Sequence, residues 1–152
     1  VYLPEGGAIQ TDPNPEQVMV AKSLEDRIKM GKVTYTQNCA ACHQPDGKGI
    51  KGAFPPLAGS DWLNKDKARA IQVVKFGLTG EITVNDNVYN GVMPAFAAQL
   101  NDAELAALLT HIRSQWGNSG APISAEAVAA VRSATAGQSG PYHGDAALHA
   151  IP

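Results

Sequence analysis

The chain has 152 residues, only 6% of them aromatic, and carries 15 glycines and 10 prolines, which suits one compact domain plus extensions with a thin apolar core. No apolar run approaches the ~18 residues needed to span a bilayer, the net charge is −2, and nothing in the chain resembles a nucleic-acid patch. The charge is uneven: ten basic face five acidic residues from Lys22 to Lys75, against two and nine elsewhere. Such a region is either an ordinary solvated surface or a positive rim that steers docking of an acidic partner.

Residues 1–21 carry Pro4, Gly6, Gly7, Pro13 and Pro15 without apolar periodicity and read as an extended linker. The first residue is Val1 and no signal peptide is visible, so the expectation is a mature form or an excised piece. Residues 23–41 are predicted helical, with Ser23 as N-cap, Glu25 and Asp26 in the first turn, and Leu24, Ile28, Gly31 and Tyr35 on one face. Gly31 costs such a helix about 1 kcal/mol in propensity, which a close helix crossing would explain.

That helix runs into Cys39-Ala40-Ala41-Cys42-His43, a Cys-x-x-Cys-His motif. Two thiols at this spacing can add to the two vinyl groups of one porphyrin, and the adjacent histidine then falls under the iron. The motif contains both cysteines of the chain. A structural zinc site would need four ligands, and His111, His143 and His149 do not supply the spacing. A thioredoxin-like pair would need a βαβ setting. A disulfide would be a tight, isolated staple. The reading is one haem c, attached through Cys39 and Cys42 with His43 as proximal ligand, and haem ligation of this kind implies an exported, periplasmic protein.

A glycine- and proline-rich loop follows over residues 44–60. Ser60 or Asp61 is placed to cap a short segment, and Asp66 a helix reaching about Phe76. Ile82-Thr83-Val84 and Asn87-Val88-Tyr89 flank Asn85-Asp86 as a small hairpin. Asn90-Gly91 is expected to turn the chain toward Val92-Met93-Pro94. The last strong helix starts at Asn101 or Asp102, with Leu105, Leu108, Leu109 and Ile112 as its stripe, and fades at Trp116-Gly117. A short helix follows Ser124, and residues 133–152 read as a flexible tail or an arm that orders only on a partner.

Met93 is the candidate sixth ligand. It stands 50 residues after His43 in a stiff loop, and a thioether favours ferrous iron and raises the potential. Core filling is its competing role. Met19 and Met30 are poorly placed. Ligation by His111, His143 or His149, or an open sixth site, is the further alternative. Pro55-Pro56 either only shapes a turn or also offers a carbonyl that fixes the free ring nitrogen of His43.

Taken together these motifs resemble the class I c-type cytochromes over about residues 22–117. Gly31 and Tyr35 stand before Cys39 where that family has a glycine and an aromatic. Pro55-Pro56-Leu57 matches its Pro-x-Leu element, which implies Pro55 as carbonyl donor to His43 and Leu57 as a haem contact. Asn90-Gly91-Val92-Met93-Pro94 matches the axial-methionine loop. Leu108 and His111 fall where the closing helix packs on Gly31 and Tyr35, although the family usually has an aromatic at the second position. The resemblance implies an all-α fold wrapped around one haem, a domain at 22–117, a linker at 1–21, a short helix and tail at 118–152, and polar contacts from Trp62 and Tyr89 near the haem propionates. Its implied function is one-electron transfer to a redox partner protein or fused domain.

A narrower resemblance is to the C-terminal haem domain of three-domain copper nitrite reductases. Cytochrome subunits of quinoprotein dehydrogenases and domains of terminal oxidases are also similar. In each case the chain would carry electrons for an oxidoreductase without being catalytic itself. A haem peroxidase would instead need an open distal site with polar groups, and a gas sensor would need Met93 to be displaced by its ligand.

Overall fold

The computed structural model describes residues 23–61, 63, 67–138 and 140–151; the expected linker 1–21, the expected cap Asp66 and Trp62 lie outside the described residues. Helix α1 (Leu24–Asn38) starts where Ser23 accepts a hydrogen bond from Asp26 N (3.2 Å). Cys39 interrupts it, and α2 (Ala40–His43) carries on through the cysteine motif. Of the expected apolar face, Gly31 and Tyr35 are buried, but Leu24 stays 47% exposed. The first turn is tied down instead by Arg27, whose guanidinium donates to the Ile123 carbonyl (2.5 Å).

Helix α3 (Lys67–Phe76) leads into a hairpin, β1 (Leu78–Val84) and β2 (Asn87–Met93). The hairpin turns at Asn85 (φ 50°) and Asp86 (φ 67°), two left-handed residues that match the twist of paired strands. It is longer than expected. Asn90-Gly91 is not a turn but part of β2, with Asn90 opposite Glu81 and Gly91 opposite Gly80. The pairing therefore runs unbroken to Leu78 opposite Met93.

Helix α4 (Asp102–Ile112) opens on a capping box in which Asn101 and Glu104 exchange side chain-to-backbone hydrogen bonds of 2.8 and 2.9 Å. Its leucine stripe is buried as expected, and so are Ala103, Ala106 and Ala107. Ala106 joins the main core, whereas Ala103 and Ala107 pack with Ala125 at the start of α5 (Ala125–Ala134). Alanine gives little periodic signal, so this burial is invisible to a count of large apolar residues.

The helices α1 and α4 cross at Gly31, whose missing side chain lets it lie on the Ala107 carbonyl and beside His111 Cβ. His111 is 4% exposed there, its ring bonded to the Ile28 carbonyl and its Nδ1 without a hydrogen-bond partner among the described residues. Burial, then the Lys32 charge, hold its pKa below the ordinary 6.5. The folded protein thus keeps His111 neutral while the unfolded chain protonates it below about 6.5. The stability it contributes is present above that pH and declines as pH falls toward the folded-state value. We expect the denaturant midpoint of the haem-loaded protein to fall between about pH 7.5 and about pH 5.5, and His111→Phe to flatten that slope. An unchanged slope in the variant would assign it to other groups.

The C-terminal segment departs from the expected flexible tail. Strand β3 (Tyr142–His143) pairs parallel to β1, giving the sheet order β2-β1-β3, and α6 (Gly144–His149) follows. Leu148 and Ile151 are 2% and 3% exposed in a cluster with Leu78, Ile82, Val84 and Tyr89. Two apolar residues three apart are enough to anchor the segment, and its Gly, Ser and Ala composition conceals them.

Candidate functional site

Cys39 caps α2 and Cys42 lies within it, Cys39 partly buried and Cys42 exposed, with no disulfide between them. His43 closes that turn through its N–H to Cys39 O (2.9 Å) and is 8% exposed. Tyr35 reaches from α1 to donate its hydroxyl to Gln44 O (2.5 Å), while the Trp116 ring lies 5.2 Å from its own. Gly47, with φ 69°, passes under Trp116 where any Cβ would strike the indole.

The loop after the motif folds back to His43. Leu57 N and Ala58 N donate to Gly47 O, and Pro55 O lies 2.8 Å from His43 Nδ1. With Nδ1 bonded to a carbonyl, Nε2 is the nitrogen left to ligate a metal. Burial lowers the His43 pKa, partly offset by the Pro55 hydrogen bond, which favours the neutral, ligating imidazole. Leu57 is half-buried against the main core and lines the cavity beside His43.

Asn118 holds this loop, and nothing in its sequence context announces it. Its Nδ2 donates to Leu57 O (3.0 Å) and Ile112 O (2.9 Å), and its Oδ1 accepts from Gly59 N (2.8 Å). Asn118→Ala should cost about 2 kcal/mol, because backbone groups of the loop lose their partner. Chemical denaturation of the haem-loaded variant checks this; an unshifted midpoint would mean the loop holds itself.

Met93 ends β2. The segment after it hangs on the end of α3, with Phe96 N donating to Val74 O (2.9 Å) and Ala97 N to Lys75 O (3.2 Å). Gly77, at φ 84°, lies so close that a Cβ would come within 2.6 Å of Met93 O. Tyr89, 6% exposed, is packed in the cluster of Leu78, Ile82 and Val84.

Two adjoining cavities share His43, Met93, Cys39, Pro55, Leu78 and Ile82 in their walls. Cys42 and Tyr89 border only the second, Leu57 only the first. A large apolar hollow, two thiols at its mouth, a carbonyl-fixed imidazole and a thioether in its walls form a donor set that fits a haem.

A family model for cytochrome c matches residues 28–116. The chain belongs to the cytochrome c family. It has the family's helical fold with a small added sheet, carries haem c bound covalently through Cys39 and Cys42, and functions in electron transfer. Over 92 residues the cytochrome is 51% identical to cytochrome c-552 of Thermus thermophilus, covering 58% of this chain and 69% of that protein. It is 33% identical over 118 residues to the cytochrome c subunit of a quinone alcohol dehydrogenase from Gluconobacter oxydans, and 33% identical over 104 residues to the cbb3-type oxidase subunit FixP of Azorhizobium caulinodans. The alignments cover 76% and 68% of the cytochrome but only 24% and 32% of those relatives. Among the described residues no helix is long and apolar enough to cross a membrane.

Proposed function

We propose that the cytochrome exchanges single electrons with His43 and Met93 as the two axial ligands, in the periplasm, for a larger oxidoreductase. The observation that carries the ligand assignment is the shared wall: His43 and Met93, 50 residues apart in sequence, border the same two cavities. When bound, the haem supplies the ferric/ferrous couple. Pro55 holds the His43 ring in one orientation and raises its basicity through Nδ1. The β1–β2 pairing and Gly77 hold the Met93 backbone. Leu57, Leu78, Ile82 and Tyr89 exclude water, which favours the less charged reduced state and raises the potential. Tyr89 and Trp62 are the proposed polar neighbours of the propionates. Ligands held in both oxidation states keep reorganisation small, which suits a carrier and not a peroxidase or gas sensor. A redox titration followed by absorbance tests this: a single reversible one-electron transition is expected, and a multi-electron or irreversible one would contradict it.

Two partner settings follow. The quinoprotein dehydrogenase and terminal oxidase setting is supported by the named relatives, which include a gluconate 2-dehydrogenase cytochrome c subunit of Pantoea cypripedii, 33% identical over 122 residues. The copper nitrite reductase setting, with denitrification as its process, rests on the sequence resemblance alone. A haem-stained denaturing gel of the organism's periplasm, probed with antibody to this chain, separates a small free carrier from a fused domain. A large band whose enzyme lacks copper would end the nitrite reductase reading.

A further inference from the structure

We infer that the C-terminal arm, Tyr142–Ile151, is a clamp that closes the haem cavity and holds Met93 in place. This rests on the reading of Met93 as the sixth ligand. Leu148 lines the first of the two cavities together with Cys39, His43 and Met93. Leu148 and Ile151 share a buried cluster with Leu78, Ile82, Val84 and Tyr89, and Met93 packs against that cluster.

The backbone makes the same connection. Leu78 lies opposite Met93 on one side and Tyr142 on the other, so the three residues form one row across the sheet. Gly77, pressed against Met93 O, accepts from Tyr142 N (3.1 Å). Three side-chain latches then fix the arm. The Asp145 carboxylate accepts from Thr83 N (2.9 Å) and Thr83 Oγ1 (3.1 Å). Arg69, itself in the cavity wall, donates to Ile151 O (3.2 Å) and His149 O (3.3 Å). Tyr142 donates its hydroxyl to Gln72 Oε1 (2.6 Å).

The consequence is energetic. A neutral thioether leaves iron whenever its strand can shift, and the clamp raises the free energy of any shift of β2 away from β1. An added ligand such as imidazole competes only with the Met-off population, so its apparent affinity scales with that fraction. Leu148 and Asp145 are positioning residues, and their effect is readable without any partner enzyme.

The test is imidazole titration of the oxidised, haem-loaded full chain, with the sulfur-to-iron charge-transfer band recorded in parallel. Leu148→Ala and Asp145→Ala should each raise apparent imidazole affinity by about tenfold, which is the gain from a tenfold larger Met-off fraction. Val128→Ala, a buried truncation in α5 and in the other core cluster, controls for general loosening. Unchanged affinity in both arm variants, or an equal gain in Val128→Ala, overturns the clamp. If Leu148→Ala does not fold, Asp145→Ala decides alone, since its carboxylate reaches Thr83 and not the cavity. A parent protein without the charge-transfer band overturns the Met93 reading itself, independently of the arm.

Discussion

Met93→Ala lowers the reduction potential by on the order of a quarter of the ~0.8 V span that axial ligands command, and lets carbon monoxide bind the reduced protein. Two effects act together. On the proposed ligation, removing the thioether takes away the ligand that favours ferrous iron. It also admits water to a cavity otherwise walled by apolar side chains, which stabilises the more charged oxidised state. The backbone is held independently of the side chain, by the Leu78–Met93 pairing and the contact with Gly77, so the variant should fold. Potentiometry on parent and variant measures the shift. An unchanged potential would return Met93 to the core-filling role and reopen the choice of sixth ligand.

Gly31→Ala should destabilise the protein by about 3 kcal/mol, against the direction that helix propensity gives. Propensity alone favours alanine over glycine by about 1 kcal/mol in a helix interior. At this position a Cβ would overlap the Ala107 carbonyl oxygen and lie 2.7 Å from both Ala107 C and His111 Cβ. Two of those three atoms are backbone, which cannot rotate away. The helices must separate, and Tyr35, one turn on, loses its seat between α4 and Gln44. Chemical denaturation of the haem-loaded variant gives the sign directly, and a more stable variant would show that the crossing has slack.

The site was more legible than its frame. Cys39 and Cys42 could be assigned from spacing because attachment to one haem fixes the separation of the two thiols, and local chemistry survives in a linear string. The hydrogen bond from His43 to Pro55 was foreseen through the family pattern, and the geometry agrees. Tyr89, expected by resemblance as a polar neighbour of the propionates, is packed in an apolar cluster and borders one of the cavities, and that role stays a proposal. Trp62 lies outside the described residues, so its role stays a proposal.

What escaped the sequence depends on long-range packing. Asn90-Gly91 carries turn residues yet pairs as strand, because register with Glu81 and Gly80 outweighs local preference. Asn118 acts through three backbone partners, at positions 57, 59 and 112, that no motif links. The C-terminal arm looked like a tail because, among its described residues, Leu148 and Ile151 alone are fully buried, while its other contacts are the half-buried Tyr142, backbone pairing and isolated latches. Leu24 was expected in the core on period alone, but it is 47% exposed among the described residues and Arg27 makes the contact at that end of α1.

The most direct test of the central claim is to mix the reduced, haem-loaded protein with carbon monoxide and follow its absorption spectrum. A carrier whose iron is held by His43 and Met93 should show no rapid change, because both axial positions are filled by side chains anchored in the fold. Fast and complete binding would contradict the account, since it would mean an open or readily vacated sixth position and a chemistry of ligand binding in place of electron transfer.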